Sequence, residues 1–534
     1  MNLYFLVVII VLYLAVVGYM GYSGFKKTKN STDYMLGGRE IHPFVMAMSY
    51  GATFISTSAI VGFGGLAALF GFSLLWLAVF NVGVGVLVAF IVYGKRTRRM
   101  GLNLNAHTFP ELLGRRLDST FIQRFMGIII FVFMPLYTAA VLIGVSRILE
   151  GLLGIPYIYS VVIFSVLVSG YVIMGGLKGV MYTDALQGTL MFAGMIVLLI
   201  FIYATLGGIV PAHKALSDMA SMVPDSLKKI GSLGWTSSPA VGSPLWWTIY
   251  SSVVLGVGIG VLAQPQLVVR YMTVKSNKEL NRAVIIGAIF ILMTVGTSFI
   301  VGALSNVYFY KTTGVISIAA AKGNSDKIIP LFIKTAMPTW FGYLFMLVIL
   351  SAGMSTLSSQ FHTIGTSIGR DFYSSGKRVK GKESGELLVT RVGIIIGILV
   401  TVFLGLKMGA GVIARATAIF FGLMASSFLA PYTAALYWKR LTRKGAIAGI
   451  LGGIGVAVFS FLFLHAKEAA VFGLCKALTG KTTLLGGSWQ FVDPLVLALP
   501  VSVILTIVVS LVTKVENENK LPVIFKGVGS TPLK

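Results

Sequence analysis

The chain has 534 residues, of which 56% are hydrophobic and only 11% charged, with a mean hydropathy of +0.89. A soluble domain carries about 25% charged residues, so a water-exposed globular surface is excluded. The formal charge of +26 does not indicate a nucleic-acid binder, because the basic residues alternate between loops and do not gather on one soluble face.

Crossing a bilayer takes about 20 apolar residues per helix, since every backbone polar group must be bonded within the segment. Hydropathy predicts an all-α integral membrane protein of about 13 transmembrane helices, at about 3–22, 42–70, 73–94, 124–153, 157–174, 183–206, 246–272, 282–305, 338–372, 387–407, 412–437, 445–466 and 494–514. The first stretch lacks the basic n-region and small-residue cleavage site of a signal peptide. No soluble domain fits between the spans, so residues 1–534 read as a single polytopic membrane domain.

Most basic residues fall in alternate loops: Lys26, Lys27, Lys29 and Arg39; Lys95 to Arg124; Lys178; Arg270 to Arg282; Arg370, Lys377, Arg378, Lys380, Lys382 and Arg391; Lys439 to Lys444; and four C-terminal lysines. The positive-inside rule then places the N-terminus outside and the C-terminus in the cytoplasm of a multi-pass plasma (cell inner) membrane protein. Cys475 is the only cysteine, which excludes an intrachain disulfide and a thiolate metal cluster.

Two spans differ chemically from the rest. The second reads Gly51-Ala52-Thr53-Phe54-Ile55-Ser56-Thr57-Ser58, followed by Gly62, Gly64 and Gly65; the seventh reads Gly256-Val257-Gly258-Ile259-Gly260, followed by Gln264-Pro265. Glycine costs about 1 kcal/mol and proline about 3 kcal/mol against alanine inside a helix, so both spans are predicted to break at mid-membrane. Close helix packing is the competing reason for small residues in a membrane helix. The two spans lie five apart, so each opens a five-helix unit, and an odd number of helices sets the units in opposite orientation. This predicts a 5+5 inverted-repeat core, with repeat one at about 42–206, repeat two at about 246–437 and accessory helices at about 3–22, 445–466 and 494–514.

Asp33-Tyr34-Met35-Leu36-Gly37-Gly38-Arg39 resembles the motif that precedes the second span in the sodium/solute symporter family, whose members carry proline, pantothenate, monocarboxylates, sugars or iodide. Three further stretches match in order: Gly175 to Val180 running into Thr183-Asp184 and Gln187-Gly188; Gln264-Pro265 with Arg270-Tyr271-Met272; and Ser351 to Ser359 with Asp371-Phe372-Tyr373. The likeness spans roughly residues 30 to 440. It implies the leucine-transporter type of inverted-repeat fold and sodium-coupled symport by alternating access around a fixed midplane site.

Sodium is small and hard, and converging neutral carbonyls and hydroxyls hold it without burying net charge. Span two offers carbonyls where it unwinds, while span nine offers Ser355 and Thr356, with Ala352 one turn earlier on the same face. The resemblance implies a sodium ion between the carbonyls of Ala52, Ile55 and Ala352 and the hydroxyls of Ser355 and Thr356. It associates Asp184 with the sodium exit path or a further sodium site; the alternative is a helix N-terminal carboxylate at Thr183-Asp184. Ser358, Ser359, Thr363 and Thr366 read as bonding back to their own helix.

For the solute, span two offers Thr53, Phe54, Ser56, Thr57 and Ser58, and span seven offers Gln264. Free amides at a broken-helix N-terminus suit an anionic group. Proline carriers of the family have an aspartate where Phe54 stands here, so the sequence favours a small organic anion such as a monocarboxylate or pantothenate.

Proton coupling in the same fold is the main alternative, although no Asp or Glu is expected deep in a core span and His362 reads as packed. A channel should show a filter motif or charged ring, and none is evident. The five histidines are scattered, which argues against a catalytic or metal centre. The expected partners are therefore the solute, sodium and the bilayer, with no organic cofactor, nucleic acid or obligatory protein partner.

Overall fold

The computed structural model describes residues 2–28, 30–375, 383–409, 411–516 and 518–529. Lys29, Lys377, Arg378, Lys380 and Lys382 of the expected basic loops, and Lys534, lie outside the described residues.

All regular elements among the described residues are helices. In chain order they include α1 (Leu3–Lys27), α2 (Pro43–Phe54), α3 (Gly64–Phe70), α4 (Leu75–Val82), α5 (Lys95–Asn103), α6 (Phe109–Arg116), α7 (Thr120–Leu153) and α8 (Tyr157–Thr205). The second half holds α9 (Pro265–Tyr271), α10 (Asn277–Thr313), α11 (Thr339–Thr366), α12 (Glu383–Lys407), α13 (Ile413–Met424), α14 (Ala430–Tyr437), α15 (Arg443–Phe463), α16 (Ala466–Phe472) and α17 (Pro494–Val512).

Eleven helical runs among the described residues are long and apolar enough to cross a membrane, against the thirteen expected spans. Two features account for the difference. Ser58–Asn103 forms one run of 46 residues, about twice what a crossing needs, and it turns at Gly71 (φ 67°, ψ −150°). Only glycine adopts that geometry freely, and a Cβ there would strike the Trp235 backbone. The apolar helix Tyr157–Gly170 falls short of a span, and α8 bends just beyond it at Gly176 (φ 58°, ψ −171°).

Both spans expected to break do so. α2 starts with Pro43 at its first turn and the His42 ring accepting from the Phe44 amide; proline suits that position because its missing N–H would be unpaired anyway. It ends at Ile55, which is extended (φ −87°, ψ 93°). In the seventh span, Pro244–Ala263 widens and then tightens before Gln264, also extended (φ −75°, ψ 116°). Pro265 supplies the cause there, because its ring pushes the preceding residue out of helical geometry.

The glycines of span two take the packing role, the competing reason for small residues there. A Cβ on Gly51 would strike the Phe290 ring of α10, on Gly62 it would strike Ile413, and on Gly65 it would strike the Ser325 backbone. They let helices approach closely, while the break itself falls at Ile55 and Ser56.

α11 lies at the centre, packed against α7, α8 and α2, while α15 and α17 pack chiefly on each other. Side-chain bonds gather the basic segments at one end of the bundle. There Arg39 donates to the Ala106 carbonyl, Arg98 to the Val274 carbonyl, Arg370 to Glu111 and Arg99 to the Lys526 carbonyl. At the opposite end the Trp235 indole donates to the Ala68 carbonyl, and the Asp493 amide to Ser251 Oγ.

Candidate functional site

Breaking α2 strips the carbonyls at its end of helical partners. α11 replaces them: Ser355 Oγ donates to the Ala52 carbonyl (2.8 Å), and Thr356 Oγ1 lies 3.3 Å from Ala52 O and 3.2 Å from Thr53 O. Ser355 Oγ also reaches the Ala352 carbonyl (3.3 Å). Ala52, Ala352, Ser355 and Thr356 are thus brought together, all buried and all uncharged. Ile55 borders them as the first residue of the break, its amide bonded to the Gly51 carbonyl.

One turn along both helices lies a second cluster, this one charged. Asp184 and Arg270 pair at 3.0 Å, at 0% and 1% side-chain exposure. Asp184 Oδ2 also accepts from Ser49 Oγ (2.7 Å), while Oδ1 has no hydrogen-bond partner among the described residues. The guanidinium donates to Ser49 Oγ (3.0 Å), to Thr53 Oγ1 and Ser359 Oγ (2.6 Å each), and to the Gln266 carbonyl. Isolated buried charges are costly, and here the pairing and four oxygen acceptors compensate them.

Several expectations need correcting. Asp184 is not a helix-opening residue: its helix is already under way after the bend at Gly176. Arg270, grouped with loop cations by sequence, is buried inside the bundle. Ser358, Thr363 and Thr366 do bond back to the carbonyls of Ser355, Ser359 and Thr363, but Ser359 turns away to Thr53 and Arg270. His362 is packed, its Nε2 3.2 Å from the Tyr34 carbonyl.

The residues expected to face the solute divide into groups. Phe54 stacks on Phe421 (centroids 6.3 Å apart), and Tyr137 packs edge-on against the same ring. Ser56 Oγ takes a bond from the Tyr137 hydroxyl (3.4 Å), and Ser58 Oγ is buried without a partner among the described residues. Gln264 bonds the Gly260 carbonyl and Gln266. Thr53 belongs to the charged cluster, and Thr57 Oγ1 is committed to the Val141 carbonyl of α7 (2.7 Å). Tyr137, Phe421, Ser49 and Ser359 were missed as neighbours; for the aromatics no signal distinguished them from core.

A bundle of apolar helices closed around two interrupted ones, with uncharged carbonyl and hydroxyl oxygens gathered at one break, defines a multi-pass membrane carrier. Comparison with known proteins specifies which kind. The pattern of the Sodium:solute symporter family matches residues 34–453, and the chain belongs to that family. It is 28% identical over 452 residues to the osmoregulated proline transporter OpuE of Bacillus subtilis (strain 168), covering 84% of this chain and 87% of that protein. It is 29% identical over 528 residues to a sodium/proline symporter of Staphylococcus aureus (strain bovine RF122 / ET3-1), covering 96% and 93%. Its fold matches a sodium-coupled sialic acid symporter solved in a substrate-bound outward-open state, with a TM-score of 0.73 at 21% identity, over 96% of this chain and 98% of that one.

Proposed function

We propose that this chain is a sodium-coupled symporter of a small carboxylate-bearing solute, and that the solute is proline. The observation that carries the sodium reading is the convergence of the Ala52 carbonyl with Ser355 and Thr356. In this reading the Ile55 and Ala352 carbonyls complete the oxygen set, and the two hydroxyls turn their lone pairs to the ion when it arrives. Asp184 stands one turn away on the sodium release path. Units of about 42–206 and 246–437 rock against each other around the site, with the basic face in the cytoplasm.

Proline takes the place of the monocarboxylate or pantothenate expected from sequence because the relatives that cover nearly the whole chain are named for it. Phe54 occupies the position where the resemblance puts an aspartate in proline carriers. The consequence is an ion site built from neutral oxygens, with the Phe54 and Phe421 rings forming an apolar wall for the solute's ring. Ser56, Ser58 and Gln264 supply its polar side, and amides of the half-helix that starts after the break receive the carboxylate.

The test is reconstituted protein with an inward sodium gradient and labelled L-proline, run beside monocarboxylates, pantothenate and sugars. Saturable proline uptake that collapses when choline replaces sodium supports the proposal. Uptake driven by a pH gradient and indifferent to sodium would assign the coupling to protons, and sodium-driven uptake of a monocarboxylate but not of proline would overturn the solute.

A further inference from the structure

At the end of the bundle opposite the basic face is a partly enclosed cavity of about 110 Å³, not far below the ~150 Å³ that admits a benzene ring. Among its lining residues are Arg415, Lys467, Glu468, His465 and Asp493, an unusual density of charge for a protein with so few charged residues.

The donor and acceptor inventory of this cavity is unequal. Glu468, at 6% side-chain exposure, accepts from Arg415 Nε through Oε1 (2.5 Å) and meets His465 Nδ1 through Oε2. Asp493 Oδ1 caps the Leu495 amide (2.8 Å), and its carboxyl also bonds Ser252. Both acids are therefore engaged. Arg415 uses only Nε, so its two terminal nitrogens have no hydrogen-bond partner among the described residues, and neither has the Lys467 ammonium. Lys467 is exposed at the mouth of the cavity, and the Arg415 side chain is 34% exposed there. The cavity has spare donors and no spare charged acceptor, so a fitting ligand must supply acceptor oxygens, and a planar guanidinium fork matches a carboxylate.

The cavity shares a helix with the central site. α13 carries Arg415 and, six residues on, Phe421, about 9 Å further along the axis at 1.5 Å per residue. Phe421 is the ring that Phe54 and Tyr137 pack against, while Ala418 and Ile419 between them line the cavity.

We infer that this cavity is a waiting site for the carboxylate of the incoming solute, read by the free fork of Arg415 with Lys467 beside it. The inference rests on the carboxylate-bearing solute proposed above. Calorimetric titration of the purified full-length chain in sodium-free choline buffer reads this site apart from the sodium-dependent central one. L-proline is expected to bind weakly and saturably, prolinamide, which lacks the carboxylate, about tenfold less. Arg415→Gln should weaken L-proline by a similar factor, Arg415→Lys, which keeps the charge but not the fork, should recover only part of the binding, and Lys467→Gln, which breaks no bond in the structure, should cost a smaller factor.

Equal binding of prolinamide and L-proline, unchanged binding in both Arg415→Gln and Lys467→Gln, or no sodium-free binding in a chain that transports proline with sodium would overturn the waiting site alone. Sodium-free binding that depends on Arg415, in a chain with no sodium-driven uptake, would leave the waiting site standing and overturn the transport proposal.

Discussion

One helical turn separates two oxygen clusters that share the same pair of helices. At Ala52, Ser355 and Thr356 the partners are neutral, and the hydroxyl bonds are ones a cation can displace. At Ser49, Thr53 and Ser359 a fixed cation, the Arg270 guanidinium, already fills the space and is balanced by Asp184. The contrast shows how a carrier keeps a mobile ion exchangeable. On the proposed function the neutral cluster receives sodium without a permanent charge to trap it, while the charged cluster has its own resident cation and joins α2, α8, α9 and α11.

The largest effect should come from unbalancing the charged cluster. Asp184→Asn leaves Arg270 buried and unpaired, a change worth about 3–5 kcal/mol, and thermal unfolding of the purified protein should show a large drop together with loss of uptake. Adding Arg270→Gln to Asp184→Asn should restore much of the stability without restoring uptake. A stable, fully active Asp184→Asn protein would remove the distinction between the clusters. The neutral cluster should respond in the sodium dependence. Ser355→Ala and Thr356→Ala each remove one hydroxyl and should raise the half-saturating sodium concentration about 5- to 150-fold, the equivalent of roughly 1–3 kcal/mol. If the double variant keeps the parent's sodium dependence, the ion lies elsewhere.

The neutral cluster was foreseen through the family resemblance: spacing put Ala352, Ser355 and Thr356 on one helical face, but only the motif match joined them to Ala52, 303 residues away. Pro265 announces the second break. The charged cluster was not foreseen, because the resemblance tied Asp184 to the ion path and nothing joined it to Arg270, 86 residues on. Arg270 follows Pro265 by five positions and reads as the edge of a basic loop; only the short α9, lying alongside α2, carries it inside. Ser359 was misread for the same reason, since a hydroxyl on a membrane helix bonds its own backbone unless something across the interface competes. The boundary expected between residues 70 and 73 falls at the Gly71 turn, but the helical run continues across it, and Tyr157–Gly170 falls short of a span, which leaves eleven runs among the described residues.

A smaller effect should sharpen the boundary of the solute side. Phe54→Leu keeps an apolar side chain but loses the ring that meets Phe421, a contact worth about 0.5–1.5 kcal/mol. It should raise the KM for proline about two- to tenfold and leave the half-saturating sodium concentration where it was. A shift in both would mean that ion and solute share the Phe54 wall.

The smallest expected effect on transport is at Thr57, which sits next to the break and reads from sequence as a solute ligand. Its hydroxyl points the other way, bonded at 2.7 Å to the Val141 carbonyl, and the α7 backbone comes so close that a Cβ on Gly144 would strike the Thr57 side chain. Thr57→Val keeps the shape and loses the bond, while the Val141 carbonyl keeps its place in the α7 helix, a cost of about 0.5–1.5 kcal/mol in stability. Because the lost group faces the scaffold helix, the sodium and proline parameters should match those of the parent even as the unfolding temperature falls. Movement of either transport parameter by as much as Ser355→Ala moves it would place Thr57 in the site and extend the neutral cluster past the break.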